Sequence, residues 1–133
     1  MMKRACLIFA VLLLGACDSP NRAEAVMLGP YTARLAHDPA PLKVGYDADF
    51  RLLLQDSADK GVNDCNVTLR QYMPGMDMDT DQTGLDMRPA GDGVYTVRSH
   101  EFRMGGDWEI ELTVDCGDGP LSHTYSYTLE WPE

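Results

Sequence analysis

Residues 107–116 read Asp-Trp-Glu-Ile-Glu-Leu-Thr-Val-Asp-Cys, and no other stretch constrains the fold as tightly. Trp108, Ile110, Leu112, Val114 and Cys116 share one parity, while Glu109, Glu111, Thr113 and Asp115 share the other. Side chains alternate across a strand with period two, whereas a helix repeats every 3.6 residues. Such strict alternation therefore predicts a strand with one face in a core and one in water.

Similar segments recur between turn residues. The pattern predicts strands at Tyr31–His37, Asp49–Asp56, Cys65–Tyr72, Val94–Ser99 and His123–Trp131, with a short edge strand at Leu85–Arg88. Phe50, Leu52 and Leu54 should share an inner face, as should Tyr125, Tyr127, Leu129 and Trp131. Gly91-Asp92-Gly93 and Gly117-Asp118-Gly119-Pro120 supply the turns. About seven short antiparallel strands and no convincing helix beyond the N-terminus predict an all-β, immunoglobulin-like sandwich.

The N-terminus reads as a targeting segment. Lys3 and Arg4 precede an apolar run from Ala5 to Leu14, too short to span a bilayer comfortably. Leu14-Gly15-Ala16-Cys17 resembles the bacterial lipobox, so residues 1–16 are expected to form a cleaved signal helix and Cys17 to carry the lipid. The alternative is an ordinary signal with an incidental cysteine. Residues 17–29 lack a clear period and read as a lipidated tether, leaving 30–133 as the folded domain. The lipid, with palmitate among its acyl chains, would hold the chain on a cell membrane or outer membrane, facing the periplasm or extracytoplasmic space. Asp18 resembles the inner-membrane retention signal of enteric bacteria.

Charge and cysteines narrow the class further. The chain carries 11 basic and 21 acidic residues, a net charge of −10, and losing Lys3 and Arg4 leaves −12. That acidity disfavours nucleic acid and favours cations and basic partners. Of the 4 cysteines, Cys6 departs with the signal and Cys17 is lipidated. Cys65 and Cys116 remain, and an oxidising compartment favours a disulfide between them; thiolate metal ligation is the alternative. Both lie on inward parities. If the third and penultimate strands are antiparallel neighbours, the two cysteines meet at one pole of the sandwich.

Met73-Pro74-Gly75-Met76-Asp77-Met78 would then lie at the other pole. Methionine usually fills gaps in a core. Here Pro74 and Gly75 break regular pairing and Asp77, Asp79 and Asp81 follow, so three thioethers cannot all be buried conventionally. Clustered thioethers outside a core point to a soft metal, above all Cu(I). Met104 precedes the strand that starts at the same pole, and His100 follows a strand that ends there. The expected site is Met73, Met76, Met78 and Met104, with His100 as a fifth contributor. His37 is a further candidate at that pole. Met73 directly follows a strand and is the methionine of the set expected to be structural. His123 and Met87 should be remote. The competing reading is a greasy loop capping the sandwich.

Other chemistry is poorly supported. An EF-hand beginning at Asp77 would need Gly and Glu where Gln82 and Arg88 stand. Asn66-Val67-Thr68 matches a glycosylation sequon but falls within a predicted strand. No nucleophile elbow or phosphate loop is present, so an enzyme is not expected.

The hexapeptide, followed by Gly91-Asp92-Gly93-Val94-Tyr95 and Phe102-Arg103-Met104-Gly105-Gly106-Asp107-Trp108-Glu109-Ile110, resembles the YtkA-like and FixH-like domains. The resemblance runs from about Tyr31 to Trp131. It implies a small immunoglobulin-like extracytoplasmic domain associated with copper handling and cytochrome oxidase assembly. It also implies that Met73, Met76, Met78 and Met104 stand at the matching motif positions. Some relatives carry histidines where this chain has Met76 and Met78, which shifts the implied preference toward Cu(I). FixH-like proteins often have a transmembrane anchor, a role the lipid on Cys17 would take. The expected function is a tethered copper carrier, a metallochaperone delivering to a membrane copper oxidase or exporter or serving copper tolerance. The rival is a metal-free module docking on a membrane protein complex.

Overall fold

A computed structural model describes residues 22–75 and 84–131. The expected signal helix, Cys17, Met76 and Met78 lie outside the described residues.

Eight strands form in chain order: β1 Ala25–Leu28, β2 Tyr31–Asp38, β3 Ala48–Gln55, β4 Asn66–Tyr72, β5 Leu85–Gly91, β6 Val94–Ser99, β7 Gly106–Asp115 and β8 Pro120–Leu129. All pairings are antiparallel, in the order β1-β2-β3-β6-β5-β4-β7-β8. The two end strands, β1 and β8, approach one another, so the sheet nearly closes. The all-β, sandwich-like expectation holds, with eight strands where about seven were expected.

Alternation does what the sequence predicts. On β7, Ile110, Leu112 and Val114 are fully buried and Trp108 nearly so. Phe50, Leu52 and Leu54 of β3 meet them from the facing layer. Leu53, on the opposite parity, is buried as well, flanked across the register by Arg34 and Val94. Phe102 fills one end of the core, edge-on to Trp108 with ring centroids 5.0 Å apart. Each of these large side chains, fully removed from water, contributes on the order of 2–3 kcal/mol.

Three details differ from the sequence reading. First, Ala25–Leu28 of the expected tether pairs with β2, placing Ala25 opposite Arg34 and Leu28 opposite Tyr31. Leu28 is buried, which gives this short strand its anchor. Second, β5 is not an edge. Its Leu85–Met87 half pairs with β4 and its Arg88–Gly91 half with β6, with a register shift between Pro89 and Gly91. This crossing joins the two layers, and it puts Met87 in the core instead of on an edge. Third, β8 stops at Leu129. Trp131 leaves the inner face and is 60% exposed.

β4 and β7 are antiparallel neighbours, with Asn66 opposite Asp115 and Tyr72 opposite Glu109. Cys65 and Cys116 continue that ladder and form a disulfide, their Cα atoms 4.2 Å apart. Both are partly buried against the core. Tyr95 braces the same pole: its hydroxyl donates to the Val62 carbonyl at 2.7 Å and accepts from the Cys65 amide at 3.2 Å. The far ends of β4 and β6 and the start of β7 therefore form the opposite pole.

Candidate functional site at the methionine pole

Two loops meet at that opposite pole and are laced together. The Gly45 amide donates to the Phe102 carbonyl at 2.8 Å, and Arg103 Nη1 donates to the Gly45 carbonyl at 3.3 Å. Arg103 Nη2 also reaches Asp47 Oδ1 at 3.3 Å. Phe102, only 1% exposed, drives the 100–105 loop inward as an apolar peg. Behind it, Ser99 Oγ donates to Gln71 Oε1, two buried polar side chains that satisfy each other, and the Glu101 amide donates to Ser99 Oγ. Buried polar groups need such partners, and pairing them fixes where the loop leaves β6.

His100 and Met104 sit on this loop. The His100 side chain is 63% exposed, and its Nδ1 lies 2.8 Å from Asp47 Oδ1. That hydrogen bond, assisted by the nearby charges of Arg103 and Arg98, holds the Asp47 carboxyl below the usual carboxylate range. Met104 is 39% exposed. Its carbonyl accepts from Trp108 Nε1 at 2.9 Å, pinning the backbone while leaving the thioether outside.

Met73 is different. It is 7% exposed, and its terminal methyl packs over Gly106, where an added Cβ would lie 2.8 Å from Met73 Cε. Gly106 also has φ +127°, a backbone conformation that L side chains rarely adopt. At Gly105 an added Cβ would lie 2.6 Å from the Trp131 indole. The Gly105-Gly106 pair thus admits Met73 and Trp131 against the backbone. Met73 is a packed residue, in keeping with its position directly after a strand.

The remaining expectations sort cleanly. Pro74 and Gly75 form an exposed turn leading to Met76 and Met78, which lie outside the described residues. His37 is at this pole but engaged: Nδ1 lies 2.8 Å from the Pro39 carbonyl, and its ring meets Tyr127 and Phe50 edge-on at 5.3 and 6.0 Å. His123 lies toward the disulfide pole, opposite Leu112, and Met87 opposite Val67 in the core. Among the described residues, no three His, Cys, Asp or Glu side chains gather as a group able to hold a metal. A cavity of about 250 Å³ beside Pro74, bordered by Asp107, Glu109 and Thr128, gives this end a polar flank. Sequence reasoning missed Asp47. It stands 53 positions before His100, and only the folded pairing of β3 with β6 (Ala48 opposite Ser99) brings them together.

Fold and site together define an immunoglobulin-like β-domain whose disulfide braces one pole and whose loop bearing His100 and Met104 lies at the other. The YtkA-like family model matches residues 27–113, and the chain belongs to the YtkA-like family. No curated protein matches the chain.

Proposed function

We propose that the protein is a membrane-tethered, extracytoplasmic copper-binding protein that carries Cu(I), not an enzyme. The reading rests on one observation above others: in a YtkA-like domain, Met104 and His100 stand exposed on one braced loop at the pole that the chain reaches at Met73-Pro74-Gly75, the residues directly before Met76 in sequence. Thioethers need no deprotonation and suit a soft monovalent cation, so such a site works at neutral or mildly acidic pH. Imidazole from His100 adds affinity and tolerates Cu(II). With Met73 packed over Gly106, the ligands proposed are Met76, Met78, Met104 and His100. Cargo would pass to a membrane copper oxidase or exporter by stepwise ligand exchange, and a lipid on Cys17 would confine that exchange to the membrane surface. The test is Cu(I) competition against a chromogenic chelator using the full chain: one ion per chain is expected, weakened at least tenfold by Met76→Ala with Met78→Ala. Unchanged affinity in that variant would remove the assignment.

A second reading draws on Trp131 and Met104, large apolar side chains that are both exposed near this pole. Such a surface suits docking on a membrane protein. Protein purified from copper-containing medium without bound copper, yet still binding its partner, would favour it.

A further inference from the structure

Asp47 belongs to the site through His100 and not through any metal. His100 Nδ1 lies 2.8 Å from Asp47 Oδ1. A carboxylate accepts only, so Nδ1 carries the shared proton, and whenever the ring is neutral Nε2 keeps its lone pair. Among the described residues, no hydrogen bond or ion pair engages Nε2. Asp47 is itself held in place. Arg103 Nη2 contacts the same Oδ1 at 3.3 Å, and the neighbouring Gly45 is bound through both its amide and its carbonyl. The ring is therefore gripped from one side by a carboxylate on a braced loop, and its other nitrogen faces away.

Resting on the copper reading above, we infer that Asp47 is a positioning residue for the metal site: it fixes His100 as the Nδ1–H tautomer so that bare Nε2 is the nitrogen offered to copper. A carboxylate behind a ligating imidazole sets the ring's tautomer and orientation and raises its basicity, and removing such a partner typically costs about 10–100-fold in metal affinity.

Two measurements on the full chain test this. In metal-free protein, ¹⁵N chemical shifts of His100 at a pH where the ring is neutral should report the Nδ1–H tautomer. Asp47→Ala should shift the population toward Nε2–H, while Asp47→Asn, which retains an accepting oxygen, should largely keep it. In Cu(I) competition, Asp47→Ala should weaken binding by about tenfold or more, and the same change in a His100→Ala background should have no further effect. An Nε2–H tautomer in the unaltered protein would overturn the inference, as would an Asp47→Ala loss that persists in full without His100. If the tautomer shifts as expected but the unaltered chain binds no copper, the copper reading fails, and with it Asp47's part in a metal site.

Discussion

Met73 and Gly106 occupy each other's space: the methionine methyl lies where a side chain on Gly106 would have to go, 2.8 Å from an added Cβ. The contact joins the end of β4 to the start of β7, closing the core beneath the loop that carries Met104 and His100. It also buries the Met73 side chain, whereas Met104 is 39% exposed.

Gly106→Ala should therefore destabilise the fold by about 1–3 kcal/mol, combining a strained positive φ with the steric conflict. Met73→Ala should cost about 2–5 kcal/mol through the cavity it leaves. Met104→Ala, at a half-open surface position, should stay within about 0.5 kcal/mol. Urea denaturation midpoints, read with the slope held constant, measure all three.

Replacing both Cys65 and Cys116 by serine should cost about 4 kcal/mol, since the bridge closes a loop spanning 51 positions. Because the bridge stands at the opposite pole, copper affinity of the still-folded variant should not change. The two readouts, denaturation and chelator competition, should move independently.

Alkaline unfolding should follow Tyr125 and Tyr127. Burial pushes both phenols up to about 12, with the Tyr127 neighbour and Glu24 adding to the rise at Tyr125. In the unfolded chain both ionise near 10. The folded state thus holds these protons more tightly, so its stability is intact below pH 10 and falls as pH rises from 10 toward 12. Tyr127→Phe should flatten that fall. Absorbance titration at the phenolate band against a denaturation series checks it.

Much of this architecture was legible because its causes are local. Trp108 through Val114 alternate in sequence and are buried in that alternation, and the parity of Cys65 and Cys116 predicts the bridge that the structure contains. The failures arise where tertiary contacts decide. Leu85–Arg88 looks like an edge because it is short and carries Pro89 just beyond, yet its two halves pair with different layers. Ala25–Leu28 has no period of its own and becomes a strand by pairing with β2. Trp131 keeps the parity of Leu129 but follows the last ladder pair and lies against Gly105, a contact no periodicity encodes. Asp47 was invisible as a site residue for the same reason, since its partner comes from another strand's end.

The central claim is that thioethers of the methionine pole hold copper, and X-ray absorption at the copper edge of the Cu(I)-loaded full chain tests it most directly. The account predicts a first shell dominated by sulfur in the unaltered protein, losing sulfur in the Met76→Ala, Met78→Ala variant while Met73→Leu leaves it unchanged. A shell of nitrogen and oxygen alone, or a sulfur shell indifferent to Met76 and Met78, would contradict it.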